Sequence, residues 1–262
     1  MNSPYALFDE NREAGGEITL SISEGISLNM IWCPPGEFMM GSSEQDIFWE
    51  RGEIPKQLVR LSKGFWISRT PVTCDQWRPF MDFSPIYPSN PGDLPVAGMS
   101  WDSAKLFCGK LTTALQNQEI LKEGESFNLP TEAQWEYACR AGTTTTWYFG
   151  NDPVDLKNHA WYMDLYSGLH PVGLKLANPW GFHDLYGNVA EWCLDNYRFA
   201  IQNKVGDLDP LFQTDDSLWA AKILRGGHFD SLAEQCRSAD RYHAAVCNPM
   251  DDPTGLRVIC VK

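Results

Sequence analysis

Prolines and glycines interrupt this chain so often that few of its regular segments can be long. The 262 residues include 17 prolines and 21 glycines, and no internal repeat or low-complexity tract orders them. Eleven tryptophans lie between these breaks, where large rings can fix irregular loops against a core. The sequence therefore predicts one loop-rich α+β domain over residues 1–262 rather than a helical bundle.

The first third of the chain alternates in polarity, as half-buried strands do. Residues 17–33 predict two strands about a turn at Glu24 and Gly25, and residues 34–42 predict a turn and a short strand. Residues 57–72 predict a second hairpin. Further strands are expected after the aromatic stretch 178–197, in ILRGG (223–227) and in GLRVICV (255–261).

Three helices are expected from their capping signals. Thr73 and Thr131 are each followed three residues later by Gln, which is the pattern of a capping box. Ser100 precedes a run with apolar residues at helical spacing. We expect the first helix to run to Phe83 and the third to end before Gly142.

Charge and cysteine usage exclude several classes of protein. The chain carries 34 acidic and 21 basic residues, a formal net charge of −13, so nucleic acid is not an expected partner. No apolar run is long enough to span a membrane, and the first residues show no signal peptide, which favours a cytoplasmic location unless a leader was removed.

The eight cysteines are scattered singly, so we expect buried free thiols rather than a zinc site.

A series of sequence blocks carries a family resemblance. In order along the chain they are MIWCPPGEFMMGS, TPVTCDQW, PVAGMSWDSAKLFC, LPTEAQWEYACRAG, GFHDLYGNVAEW, LRGGHF and GLRVI. They resemble blocks of the formylglycine-generating enzyme, or sulfatase-modifying factor, family over about residues 28–260. This resemblance implies an α+β, C-type-lectin-like fold with little regular secondary structure, two main helices, mixed sheets and long surface loops.

The resemblance also shows where enzyme chemistry would lie. In the enzymes of this family two cysteines, five residues apart after a GGS motif, bind copper and oxidise a substrate cysteine. Here the second position is Cys236, but the first is Ser231 and the serine after the glycines is His228. A hydroxyl does not replace a thiolate as a Cu(I) ligand. We therefore expect no copper and assign no catalytic residue, with Cys236 the candidate if the chain is an oxidase.

A calcium ion is the metal that the resemblance does imply. The family's ligands correspond here to Asp184, the carbonyls of Gly187 and Val189, and Glu191. Two carboxylates about a glycine turn supply the oxygen ligands that a hard cation needs. The alternative is that Asn188 and Glu191 only hold the turn by hydrogen bonds.

One branch of the family is not enzymatic. The variable proteins of diversity-generating retroelements end in a block resembling RGGSW…CRSA.R…GFRVV, and adenine-directed mutagenesis rewrites codons of the form AAY there. Such codons yield every residue type except Lys, Glu, Gln, Trp and Met. Residues 228–233 and 240–248 of this chain contain only permitted types. The resemblance thus predicts a variable ligand-binding region over 226–250, with contacts from His228, Phe229, Asp230, Ser231, Asp240, Tyr242, His243, Ala244, Val246, Cys247 and Asn248.

Three functions remain open on the sequence. The favoured hypothesis is a non-catalytic protein that binds a protein or other ligand through a diversified surface. The alternatives are a copper-dependent oxidase of cysteine with an altered site and a non-catalytic accessory domain. In each case the arginines near the C-terminal strands are expected to pair with acidic residues such as Glu191 and to hold loops. These arginines are Arg225, Arg237, Arg241 and Arg257.

Overall fold

The computed structural model describes residues 7–8, 12–53, 55–82, 91–198, 207–214, 221–245 and 253–262. The helices are α1 (Cys74–Trp77), α2 (Trp101–Asn117), α3 (Glu132–Arg140) and α4 (Leu156–His159). The strands are β1 (Glu17–Ser23), β2 (Ile26–Cys33), β3 (Gly36–Met40), β4 (Gln57–Leu61), β5 (Phe65–Ser68), β6 (Ser126–Asn128), β7 (Ala190–Asn196), β8 (Asp207–Leu208), β9 (Ala221–Arg225), β10 (Tyr242–Ala245), β11 (Thr254–Gly255) and β12 (Ile259–Val261). Within these described ranges, no helix combines the length and the apolar character needed to cross a membrane.

A five-stranded sheet in the order β1-β2-β5-β12-β6 forms the main layer. The N-terminal hairpin of β1 and β2 is confirmed, and its partners run from Glu17 opposite Ile31 to Ser23 opposite Ile26. The last strand of the chain, β12, lies inside this sheet between β5 and β6. The C-terminal residues therefore help to build the core, and the segment before them must return to it.

The predicted hairpin over residues 57–72 is wrong in its pairing. Both strands form, but β4 pairs with β3 and β8 in a three-stranded sheet, whereas β5 pairs with β2 and β12. Every residue of β5 is buried, so β5 needs cover on both faces, while in β4 buried residues alternate with the half-buried Leu58 and the exposed Arg60. The tight turn at residues 62–64 therefore passes the chain from one sheet to another.

The capping signals are confirmed, and one helix is shorter than predicted. Thr73 and Thr131 both form capping boxes, and Ser100 accepts a hydrogen bond from the backbone of Ser103. Helix α1 ends at Trp77 rather than near Phe83. Arg78 is still helical and caps the helix, but Pro79 comes next and has no backbone N–H with which to continue the helical hydrogen bonds.

Two apolar clusters lie on either side of the main sheet. One is centred on the α2 side and contains Trp66, Trp77 and Trp192, and the other packs under α3 and contains Trp135 and Trp147. These rings are buried, as the sequence predicted for most tryptophans. The predicted α+β class, with two main helices and mixed sheets, is confirmed.

Candidate ligand-binding surface

The candidate region begins where β9 leaves the four-stranded sheet β10-β9-β7-β11. Gly226 and Gly227 turn the chain with φ of +92° and +70°, which side chains other than glycine rarely adopt. A Cβ on Gly226 would lie 2.8 Å from the carbonyl oxygen of Leu185, so this turn also needs the absence of a side chain. The chain then returns as β10, whose Tyr242 pairs with Leu224 of β9. The region is thus an excursion anchored at both ends on one strand.

The predicted contact residues divide into exposed and buried sets. Tyr242 is 42% exposed and His243 is exposed, with its ring stacked on Tyr197 at a centroid distance of 3.8 Å. Four others are half-buried: His228, Phe229, Asp230 and Ala244. Ser231 and Asp240 are only 4% and 7% exposed, and the structure therefore places them in the interior. Val246, Cys247 and Asn248 lie outside the described residues.

Ser231 and Cys236 lie side by side beneath the glycine turn. A Cβ built on Gly227 would lie 2.8 Å from Cys236 Sγ and 3.2 Å from Ser231 Oγ. Ser231 Oγ accepts a hydrogen bond from the backbone N–H of His228 at 3.0 Å. Burial raises the pKa of the Cys236 thiol far above its ordinary value. The pair position thus holds a hydroxyl and a protonated thiol rather than two thiolates.

Arg225 holds the backbone in the middle of the region. Its buried guanidinium donates to the carbonyl oxygens of Ser238 and Ala239, each at 2.9 Å, and to that of Asp240. It also pairs with the carboxylate of Glu136, which is fully buried. Because these contacts use backbone oxygens, they fix the path of the chain without depending on neighbouring exposed side chains.

Two further arginines tie the same segment to the rest of the fold. Arg237 donates to both oxygens of Glu53, at 2.8 and 2.6 Å, and both side chains are almost fully buried. Arg241 pairs with Glu132 at 2.5 and 3.1 Å and donates to the carbonyl of Gly52 at 2.8 Å. With the Arg257–Glu191 pair, these contacts confirm the predicted role of the arginines.

Asp240 belongs to this buried charge network rather than to the surface. Its carboxylate lies 3.3 Å from Arg237 and, within the described residues, groups with Glu50 and Glu53 closely enough to hold a metal ion. Burial raises its pKa to about 8, although Arg237 opposes the shift. Since Arg237 already binds Glu53, the cluster behaves as a structural ion-pair network.

The two carboxylates implied for calcium have different partners. Asp184 accepts the N–H of Gly173 through Oδ2 at 2.6 Å, and its buried Oδ1 has no hydrogen-bond partner within the described residues. Glu191 instead accepts from Trp135 Nε1 at 2.7 Å and from Arg257 through both oxygens at 3.0–3.2 Å. Glu191 is therefore already paired with Arg257, whereas Asp184 keeps one buried oxygen without a partner in the described part of the chain.

The turn between these carboxylates is held by hydrogen bonds. Asn188 accepts from the backbone N–H of His170 at 3.1 Å and donates to its carbonyl at 3.0 Å. Gly187 N–H donates to the carbonyl of Gly226, and Val189 is buried. A Cβ on Gly187 would lie 1.8 Å from the Trp161 carbonyl oxygen, which explains glycine there. Calcium at this turn stays a prediction.

A loop that the sequence did not single out borders the region. Met163 N–H donates to the carbonyl of Ser231 at 3.0 Å, and Asp164 N–H donates to that of Phe229 at 2.7 Å. In this loop Met163 is 62% exposed, Leu165 69%, and Tyr166 is fully exposed. Sequence patterns assign apolar residues to a core, so exposed ones in an irregular loop leave no recognisable signal.

Comparisons with known proteins match nearly the whole chain. Residues 24–261 match the family model described as the sulfatase-modifying factor enzyme 1-like domain. The chain is 27% identical to the formylglycine-generating enzyme of Thermomonospora curvata, over 88% of this chain and 93% of that protein. It is 25% identical to inactive C-alpha-formylglycine-generating enzyme 2 of Bos taurus, over 70% and 76% of the two chains. It superposes on Treponema denticola variable protein 1 with a TM-score of 0.76 and 25% identity, covering 93% of this chain and 98% of that one.

Proposed function

The chain belongs to the sulfatase-modifying factor enzyme 1-like domain family, and we propose that within it this protein is a non-catalytic ligand-binding protein with a diversified C-terminal surface. The observation that carries the proposal is Ser231 beside Cys236, since it leaves one thiol where the oxidase chemistry uses two. Both an enzyme and an inactive protein occur among the relatives, so family membership alone does not decide activity.

The division between scaffold and surface supports this proposal. The arginine contacts hold residues 236–241 from inside, while exposed or half-buried side chains precede and follow them at 228–230 and 242–244. A surface side chain can change without opening a cavity or breaking a buried pair. This arrangement suits a region that varies, and the similarity to a variable protein of Treponema denticola points the same way.

The exposed residues supply the contacts that binding loops commonly use. Tyr242, His243, His228 and Phe229 carry flat rings that bury area at a low cost in side-chain entropy. The neighbouring loop, with Tyr166 fully exposed, extends this surface outside the variable region. The net charge of −13 disfavours nucleic acid, so we propose a protein or another ligand without a phosphate backbone as the partner.

The first experiment separates this function from copper-dependent oxidation. The protein is incubated with Cu(I), oxygen and a cysteine-containing peptide, and oxygen uptake and the aldehyde product are measured. We expect neither, because Ser231 offers no thiolate and burial keeps the Cys236 thiol protonated. Turnover of the peptide would overturn the proposal.

The second experiment tests the division between varied and fixed positions. Tyr242→Asp and His243→Ser are expected to change the melting temperature by less than about 2 °C, since both side chains are exposed. Ser238→Tyr is the contrasting variant. Ser238 is fully buried and hydrogen-bonded to Tyr186, so the larger side chain should overpack the interior and lower the melting temperature by about 4–8 °C. Equal losses at all three positions would contradict a tolerant surface.

The genomic neighbourhood provides an independent test of diversification. We expect a reverse transcriptase gene nearby and a second near-copy of the DNA that encodes residues 226–250, differing from it at adenines. A neighbourhood without both would leave binding possible but would remove diversification from the proposal.

A further inference from the structure

The loop that borders the candidate variable region is a closed turn whose tip carries exposed apolar side chains. Asp164 closes it from within, since its carbonyl accepts the N–H of Gly168 at 3.3 Å and its carboxylate accepts that of Ser167 at 3.2 Å. Between these contacts lie Leu165, which is 69% exposed, and Tyr166, which is fully exposed. Hydrogen bonds already hold the backbone of this tip, so a partner that packs on the two side chains does not have to order it.

The same loop is joined to the candidate variable region through an uncommon backbone conformation. Met163 has a φ of +50°, in the left-handed region that residues with a side chain rarely adopt and that is enriched at ligand sites. Its N–H donates to the Ser231 carbonyl at 3.0 Å, and this carbonyl belongs to the peptide unit shared with Leu232. The backbones of Met163 and Leu232 are therefore adjacent, and their side chains are 62% and 47% exposed. Exposed apolar side chains thus continue from the loop onto the candidate variable region.

The charged side chains of these two segments are all acidic. Residues 161–167 contain Asp164, and residues 228–235 contain Asp230 and Glu234, whereas neither segment contains a lysine or an arginine. A histidine of the loop already pairs with the Asp164 carboxylate. Asp230 and Glu234 are half-buried, and neither forms an ion pair in the part of the chain that the structure describes. The apolar side chains therefore lie beside two carboxylates that a cationic partner can reach.

We propose that the loop and the adjoining variable residues bind a segment of a partner protein in which apolar side chains lie among lysines or arginines. This inference rests on the proposed function and names the partner chemistry of that same surface. The apolar side chains of the partner pack on Leu165 and Tyr166, and its cations face Asp230 and Glu234. Tyr166 is the main anchor, because a fully exposed tyrosine has a large area to bury.

Charge and position both favour this partner over other ligands. An acidic protein would be repelled by the carboxylates and by the net charge of −13, and a sugar would gain little from exposed leucine side chains. The loop also lies outside residues 226–250, so it is retained when the variable residues change. It supplies an apolar contact common to all versions of the surface, while the variable residues select among partners.

Three short synthetic peptides test this partner chemistry. The first contains leucine and lysine with the leucines on one helical face, the second has glutamate in place of lysine, and the third has serine in place of leucine. We expect the first peptide to bind at least about tenfold more tightly than either of the others, because binding uses both apolar packing and charge. Fluorescence anisotropy of the labelled peptides measures the affinities.

Variants of the protein locate the binding on the loop. Tyr166→Ser should weaken binding of the leucine–lysine peptide about five- to thirtyfold, as expected for an aromatic anchor. Glu234→Gln should weaken it about two- to fivefold, since solvent partly screens a half-buried carboxylate. The matched controls are Leu106→Ser, which removes a leucine that is 51% exposed on α2, and Glu123→Gln, which removes an exposed acid after α2. Both controls should bind the peptide as tightly as the unchanged protein.

A variant in the candidate variable region separates this inference from the proposed function. If Tyr242→Ser weakens binding of the leucine–lysine peptide and Tyr166→Ser does not, the variable surface binds without the loop, which overturns the inference and leaves the proposed function standing. Equal binding of the leucine–lysine and leucine–glutamate peptides, or equal losses in Tyr166→Ser and Leu106→Ser, would also overturn it. The oxygen-uptake experiment judges the proposed function independently of these results.

Discussion

At the scale of single residues, position 240 shows how far a side chain's role depends on its surroundings. Aspartate is one of the residue types that a rewritten codon can encode, and the sequence therefore predicts that Asp240 lies on the ligand-binding surface. The structure buries it beside Arg237, and Glu53 already satisfies that arginine through both guanidinium nitrogens. The Asp240 carboxyl therefore has less to gain from ionising than it loses in solvation, and its pKa rises to about 8.

This pKa predicts that stability decreases with pH. The unfolded state releases the Asp240 proton near its ordinary pKa of 3.8, whereas the folded state keeps it to about pH 8. Between these values the folded state binds more protons, so rising pH lowers the free energy of unfolding by up to about 1.4 kcal/mol per pH unit. In Asp240→Asn this contribution should disappear.

Urea unfolding of both proteins from pH 4 to 9 measures the difference. Burial also raises the pKa of Asp195 to about 6, so the comparison must be between the two proteins rather than between pH values of one. If the free energies of unfolding of both proteins run parallel across this range, Asp240 ionises normally and the prediction fails.

At the scale of elements, the candidate region is a loop whose middle is fixed from the interior. Arg225 binds three consecutive carbonyls, Arg237 reaches Glu53 before β4, and Arg241 reaches Glu132 at the start of α3. Each contact joins segments far apart in the sequence. The glycine turn and β10 form the two ends of this loop. The exposed side chains therefore project from a backbone that other, buried residues hold in place.

The Arg237–Glu53 pair should therefore show strong energetic coupling. Removing either partner leaves a buried charge, so Arg237→Ala and Glu53→Ala should each cost about 3–5 kcal/mol. The double variant should cost at least about 1 kcal/mol less than the sum of the two. Denaturant unfolding of the four proteins completes this cycle.

An exposed pair provides the control for that cycle. Arg60 and Glu37 lie 3.1 Å apart, with side chains 57% and 59% exposed, and solvent screening should keep their coupling below about 1 kcal/mol. Coupling of Arg237 with Glu53 as small as this would mean that the buried pair does not hold the segment.

At the scale of the whole molecule, packing rather than disulfides stabilises the fold in the part described. The cysteines there are all buried and unpaired, and they lie within the two apolar clusters or at their edges. Burial raises the pKa of Cys139 to about 11 and that of Cys108 to about 12. Their thiols are both inaccessible and protonated in the folded protein.

Alkylation should therefore follow unfolding. Iodoacetamide at pH 8 is expected to leave Cys236 and Cys139 unmodified until denaturant is added, and Cys74, which is 8% exposed, should react first of those described. Peptide mass spectrometry measures each site. An exposed thiol introduced by Lys157→Cys on α4 gives the reference rate, and Cys236 reacting as fast as this reference in the folded protein would contradict the burial.

The sequence by itself determined the local elements and the family of the fold. Capping boxes at Thr73 and Thr131, the turn at Glu24 and Gly25 and the order of the sequence blocks depend on neighbouring residues, so they could be read from one chain. The replacement of a family cysteine by Ser231 was equally visible. The C-terminal arginines were correctly expected to pair with acids, although most of the partners were not identified.

Only the tertiary structure decided how distant segments combine. It separated β4 from β5 into different sheets. Both faces of β5 are buried, and this favours its position between β2 and β12 over pairing with β4, although only a short segment joins the two strands. It placed Asp240 inside and engaged Glu191 with Arg257, since burial and ion pairing are set by residues far away in sequence. The exposed loop around Tyr166 likewise arises from contacts between remote segments, which a one-dimensional pattern does not record.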